Sequence, residues 1–304
     1  MSMRKAPRNM LKRKARCFKK APFARPHPGL RLEWGMRSHL FKHLTHLYVQ
    51  RPSNKSHVYR LLPVTKHQQD FDSPSVTRLR ADLALALRAA AHHSLAEGVC
   101  NHFSVELPDH SGRFLLNPRG LLWSEITADD IVMIDGEGNI LAGKHAVEPT
   151  AMFIHAAIHR ICKKACVMHT HMPYSTALTL TSDRALDTTL SQNAMRFHER
   201  IAIDPNYNGL ALDISEGERI AHAMGKADIA FLGNHGVVVC NDRIDYAYDD
   251  LYFLERACMV EVLAHSTGKK LVPVNAALAK RVGQQIDGER LQGELFFEAL
   301  RQVL

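Results

Sequence analysis

Apolar residues recur along this chain in two rhythms, and a compact pattern begins only near residue 72. Asp72-Ser73-Pro74 reads as a helix start, with Ser73 as N-cap and Pro74 in the first turn. Leu79, Leu83, Leu87 and Ala90 then keep a helical stripe, which predicts a helix that runs to a stop at Gly98. Short alternating runs follow at Phe103–Leu107, Arg113–Leu116 and Ile131–Ile134. Each is bounded by turn residues (Pro108-Asp109, Asn117-Pro118, Asp135-Gly136), so they read as strands of one sheet. The helical rhythm returns from about Pro149 to Lys164, with Phe153, Ile154, Ala157, Ile158 and Ile161 inward, and gives way to a strand at Ala165–His169. Ser215 and Glu218 have capping-box spacing for a helix that ends at Gly225. An apolar strand pair surrounds Gly233-Asn234-His235-Gly236, a long helix spans about Arg243–Thr267 before Gly268, and the tail to Leu304 reads as one more helix. Mixed strands and helices without a strict βαβ repeat predict an α/β sandwich, with a mainly antiparallel sheet flanked by helices.

Charge divides the chain at the same place. Residues 1–69 carry 17 Lys and Arg and a single acid, Glu33, for a net +16; the other 235 residues carry 22 basic and 30 acidic side chains, for a net −8. The global +8 therefore describes neither part. The head lacks an apolar period and interleaved aromatics. An organelle-targeting leader and a polyanion-binding arm both fit its Arg-rich, acid-poor composition, but we read it as an upstream extension that takes no part in the fold. The expected organisation is 1–70 extension, 71–274 folded domain and 275–304 helical tail. The acidic body gives no reason to expect nucleic acid or membrane as a partner. No stretch has the apolar length of a membrane helix. Six scattered cysteines without a CxxC pair fit free thiols, and with no secretory h-region the expected compartment is the cytoplasm, organelle targeting being the alternative.

The chemistry concentrates in histidine, of which there are 19. His169-Thr170-His171 ends an apolar strand, and period two puts both imidazoles on one face. Converging neutral imidazoles suit a divalent metal, with His235 in its Gly-Asn-His-Gly turn as the third ligand; a hydrogen-bonded structural pair is the alternative. His155 and His159 stand four apart on a helix. A metalloprotease would need Glu directly after the first, where Ala156 stands, so this pair reads as filling the helix–sheet interface. His92-His93 reads as structural or surface. Gly-rich phosphate loops and a nucleophile elbow are both missing from the sequence.

Several ordered motifs are similar to the class II aldolase/adducin superfamily over about residues 75–270. They are Gly98-Val99-Cys100-Asn101-His102-Phe103-Ser104, Asn117-Pro118-Arg119-Gly120, Ser124-Glu125-Ile126-Thr127, His169-Thr170-His171-Met172-Pro173 and Gly233-Asn234-His235-Gly236. The resemblance implies a three-layer α/β/α sandwich and a metal, Zn²⁺ with Fe²⁺ or Mn²⁺ as alternatives, on His169, His171 and His235. It also implies a small-molecule substrate and a homo-oligomer, tetrameric in the family's enzymes. The implied activity is lyase-type chemistry through a metal-stabilised enediolate on a small hydroxy-carbonyl compound, carboxylated or phosphorylated. The aldolases place a catalytic Glu four residues before a helical His; here that position is Ala151, and the nearest acid is Glu148. Glu148, and after it His198, are the acid/base candidates. Asn101, His102 and Arg119 stand where the aldolases bind substrate, Arg119 offering a bidentate fork to a carboxylate or phosphate. In these same places the chain is more similar to the adducin head, so a noncatalytic adducin-like binding module is the alternative from another class. Three-His iron or manganese decarboxylase or oxygenase chemistry is a further one. The Lys-rich tail through which adducins bind actin has no counterpart in this sequence, which gives no basis for actin binding.

Overall fold

Alternation along eight strands divides the interior into two apolar layers. The computed structural model describes residues 65–109 and 112–304; the basic head to residue 64, with Cys17 and every reading attached to it, lies outside them. The strands are β1 His102–Glu106, β2 Phe114–Leu116, β3 Val132–Ile134, β4 Ile140–Ala142, β5 Cys166–Thr170, β6 Ile201–Asp204, β7 Ile229–Leu232 and β8 Gly236–Asn241. They form one sheet in the order β4-β3-β2-β1-β5-β8-β7-β6, antiparallel throughout except for the parallel β6–β7 pair. The helices are α1 Lys66–Phe71, α2 Pro74–His92, α3 Pro149–Ala157, α4 Pro173–Thr179, α5 Gln192–Met195, α6 Ile214–Met224, α7 Ile244–Ser266, α8 Ala276–Gly288 and α9 Leu291–Val303. Phe103, Val105, Met168, Phe231 and Val239 pack on one side against Leu83 and Leu87 of α2 and Leu251 and Leu254 of α7. Val167, Ala230, Val238 and Cys240 pack on the other against Ile154 and Ala157 of α3 and Ile220 and Ala221 of α6. Helices thus cover both faces of the sheet, and the expected α/β/α sandwich is what the chain builds.

Several boundaries differ from the pattern reading. α2 stops at His92, before Gly98, because Ser94 takes the left-handed turn (φ 59°) and the Leu95 and Ser94 amides cap the carbonyls of Ala90 and Ala91. α6 is capped by Asp213, whose carboxylate accepts the Glu216 amide; Ser215 lies inside the helix. β4 and β6 are too short and too exposed to carry a period, and the tail is two helices, α8 and α9. The folded unit also begins before residue 71. Phe71 of α1 is buried beneath the Arg80 guanidinium, 4.0 Å from ring centroid to Cζ, and Asp70 binds Arg113 at 2.6 Å.

Candidate metal centre

Three loops and strand ends bring the site together where β5 and β8 meet. β5 presents His169 at its buried end, and the chain turns just after it to bring His171 round. The β7–β8 turn supplies His235, preceded by Asn234 in the left-handed region (φ 58°). Gly236 allows the close approach: a Cβ there would lie 2.6 Å from the Thr170 carbonyl oxygen and 2.8 Å from Cδ2 of His171. The ligand-capable atoms of His169, His171 and His235 all lie within 4.8 Å of one another.

The outer nitrogens fix which atoms face inward. His169 Nδ1 lies 3.0 Å from the Val237 carbonyl oxygen, so it carries the proton and donates. His171 Nδ1 lies 2.6 Å from Glu97 Oε2, a carboxylate–imidazole pair of the kind that orients metal-ligating histidines. The two Nε2 atoms face each other at 3.2 Å, and both are bare when the rings are neutral, the form a metal requires of its ligands. Two lone pairs at that distance repel unless a cation joins them. The spacing is close to the roughly 3.3 Å expected for two nitrogens about 2.0–2.1 Å from one tetrahedral ion. Burial, then the neighbouring His235, holds His169 well below the ordinary imidazole range; burial, then His171, lowers His235 to about 4. Neutral imidazoles with inward lone pairs are the donor set a divalent cation takes.

The other residues singled out from the sequence divide into two groups. Asn101 and His102 border the cluster. Asn101, in the left-handed region (φ 74°), accepts the His171 amide on Oδ1 at 3.3 Å, while its Nδ2 is buried without a partner. His102 stacks on His169 at 5.7 Å between centroids, and burial first, then His171, lowers it to about 3. Arg119 and Glu148 bind each other at 2.8 Å. Glu148 is the N-cap of α3, in extended conformation, which turns its carboxylate to Arg119; among the described residues the ligand group itself is three histidines, with Glu97 on the outer nitrogen of His171. Glu148 thus pairs with Arg119 and is not a fourth member of the ligand group. His198 bonds Thr188 Oγ1 through Nδ1 at 2.8 Å, and it lines a polar cleft with Lys280 and Arg243. Ala151 is fully buried in apolar packing, so no acid stands there.

Sequence reasoning missed Glu97, because nothing periodic links a turn residue to a histidine 74 positions later. It also missed Ser104, which lies between His155 and His159 at 2.6 and 2.7 Å. A signal existed: His102 and Ser104 alternate on β1, polar on a face that the helix covers.

Similarity to known proteins follows the same segments. The profile described as Class II Aldolase and Adducin N-terminal domain matches residues 81–262. A Caulobacter vibrioides protein named for the class 2 aldolases is 32% identical over 207 residues, covering 67% of this chain and 78% of that protein. A Streptomyces roseochromogenus protein named 4-hydroxy-3-prenylphenylpyruvate oxygenase/4-hydroxy-3-prenylbenzoate synthase is 30% identical, covering 78% and 86%. The crystal structure of an aldolase II superfamily protein from Pseudomonas syringae superposes with a TM-score of 0.71 at 31% identity, covering 77% of this chain and 94% of that one.

Proposed function

The chain belongs to the class II aldolase and adducin N-terminal domain family, and from that premise we propose that it is a divalent-metal enzyme, with zinc as the metal, that makes or breaks a bond beside the carbonyl of a small hydroxy-carbonyl substrate. The observation that carries the proposal is the pair of facing Nε2 atoms at 3.2 Å, each ring held from behind, with His235 beside them. His169, His171 and His235 would hold the ion, and bound there it supplies a Lewis acid that withdraws charge from substrate hydroxyl and carbonyl oxygens.

The chain's own groups supply orientation and proton handling. Glu97 and the Val237 carbonyl aim two imidazoles. The buried, unpartnered Asn101 amide offers a donor to a substrate oxygen beside His171. Arg119, more than half exposed, can exchange its bond to Glu148 for a substrate carboxylate or phosphate. The freed Glu148 carboxylate then becomes available as a proton acceptor. The exposed apolar side chains of Leu210, Leu212 and Ile214 support a homo-oligomer.

A second reading, a three-His iron site with decarboxylase or oxygenase chemistry, is favoured by Ala151 and by the name of the Streptomyces relative. Solvent-deuterium exchange into a panel of α-hydroxy ketones and α-keto acids tests the proposal. Exchange that chelation abolishes and zinc restores supports it. Exchange restored by Fe²⁺ alone supports the second reading, and absence of exchange with every metal counts against both.

A further inference from the structure

A short helix joins two of the three histidines. α4, Pro173–Thr179, begins two residues after His171, and its last carbonyl meets the turn that carries His235. Its N-cap is Met172, whose side chain makes no capping bond, and Pro173 has no N–H to offer. The first open amides of the helix are therefore those of Tyr174 and Ser175. Glu255 of α7 takes both: Oε1 accepts from Tyr174 at 2.7 Å and Oε2 from Ser175 at 2.9 Å. This buried carboxylate does the work of an N-cap from another helix.

At the other end, the Thr179 carbonyl accepts the Asn234 amide at 3.4 Å and Nη1 of Arg184 at 3.2 Å. The same Nη1 donates its second hydrogen to Asn234 Oδ1 at 2.9 Å. The guanidinium lies close against the turn, since a Cβ on Gly233 would stand 2.7 Å from Nη1. Asn tolerates the left-handed region where its short side chain finds a bond, and at Asn234 Arg184 supplies it. Past Arg184, the buried Glu261 of α7 accepts the Asp187 amide at 2.9 Å. The segment from Met172 to Asp187 is thus fixed to α7 near both ends and to Asn234 between them. His235 is the residue that needs such a tie. The rings of His169 and His171 are each bonded from behind, at 3.0 and 2.6 Å. Among the described residues the ring of His235 has no hydrogen bond, only ring contacts with its neighbours at 4.8 and 4.9 Å between centroids, so its backbone must place it.

We propose that α4 is a strut that fixes His235 relative to His171, with Glu255 and Arg184 as its positioning residues. Glu255 holds the end that follows His171, and Arg184 ties the other end to the turn of His235. Seven helical residues span about 10 Å, a rigid length over which the two ligands are set with respect to each other. Ligand nitrogens must lie within about 0.2 Å of their ideal distances, so a turn free to shift weakens the site without unfolding the protein. The effect on metal rests on the metal-enzyme reading above; the tie between Arg184 and the turn does not.

Arg184→Ala and Glu255→Gln in the full 304-residue chain test this with two measurements. The first needs no metal: amide hydrogen exchange in chelator-treated protein. Asn234 should exchange about tenfold faster in Arg184→Ala, and Tyr174 and Ser175 about tenfold faster in Glu255→Gln, with the amides of β5 unchanged in both. The second is zinc affinity by competition with a chelator. Each variant should bind about three- to tenfold more weakly, at or below the low end for groups that bond a ligand ring directly. Arg184→Lys keeps a donor and should recover part of the affinity. Asn234→Gly keeps the left-handed turn without Oδ1, so adding it to Arg184→Ala should cost no more than about a further twofold. Unchanged Asn234 exchange in Arg184→Ala overturns the proposal whatever the metal content. Faster exchange with zinc affinity within about twofold of native in either variant overturns it as well, because the frame then moves without moving a ligand. Native protein that binds no zinc, with exchange faster in the variants as expected, strikes the metal reading alone and leaves the strut in place.

Discussion

Glu97→Ala removes the one carboxylate that, among the described residues, bonds a proposed metal ligand, and its cost can be worked from the geometry. Glu97 Oε2 accepts from His171 Nδ1 at 2.6 Å, a short charge-assisted bond that holds the ring with Nε2 inward. Hydrogen bonds to charged groups contribute about 1.5–3 kcal/mol, and outer partners of metal-ligating histidines change metal affinity by about 10–100-fold. The two ranges agree, since each tenfold is about 1.4 kcal/mol. Glu97 is 58% exposed, and water both screens the pair and replaces the lost partner, so the low end applies: about tenfold weaker zinc binding. Glu97→Gln keeps an acceptor oxygen and should lose less than Glu97→Ala. Competition against a fluorescent zinc chelator measures both, with circular dichroism to confirm folding. Affinity in Glu97→Ala within about twofold of native would show that the bond does not position His171, and would refute the reasoning.

Three further outcomes follow from other parts of the fold. Gly236→Ala puts a methyl group against the Thr170 carbonyl and the His171 ring, at 2.6 and 2.8 Å, so it should lower stability by about 1–3 kcal/mol and weaken metal binding together; an unchanged Tm would count against the close approach. Asp250 is fully buried between Arg200 at 2.7 Å and Arg290 at 2.9 Å. Asp250→Asn takes one carboxylate from each guanidinium, while Arg200 keeps Asp228 at 2.7 Å and Arg290 keeps Asp287 at 3.3 Å, so the low end applies: a cost of about 3 kcal/mol in urea unfolding. Burial pushes the Asp250 pKa upward, but the two arginines prevail and hold it below the usual carboxylate range. This stabilisation is therefore complete above the unfolded pKa of about 3.9 and fades as pH falls through the lower folded value. Native protein should lose stability on acidification below about pH 4, and Asp250→Asn should lose less; equal acid sensitivity would remove Asp250 as its source. Finally, a chain beginning at Leu61 should melt with the full-length protein, whereas one beginning at Ser73 loses Phe71 beneath Arg80 and the Asp70–Arg113 bond and should melt lower. Equal Tm values would show that α1 adds nothing.

The fold was legible wherever a period had room to repeat. α2, α3 and α7 each carry stripes of two turns or more, and the strands at 103–107, 131–134 and 165–169 alternate between good turn residues. β4 and β6 escaped because three or four half-exposed residues hold no period, and α2 overran because a Ser at φ 59° ended it where a Gly was expected. The three-histidine group was legible because His169 and His171 are local and His235 sits in a turn of unmistakable composition. Its supports were not. Glu97 and Val237 reach the site through pairings across the sheet and loops that sequence spacing does not encode, and the position of Glu148 depended on where α3 begins.

The central claim is that this chain holds a divalent ion on three histidines, and elemental analysis tests it most directly. The measurement is metal per chain for untagged full-length protein and for His169→Ala and His235→Ala, with folding checked in each. The account predicts about one zinc per native chain and essentially none in either folded variant. Folded native protein without metal, and variants indistinguishable from it, would contradict the account and leave the noncatalytic adducin-like reading in its place.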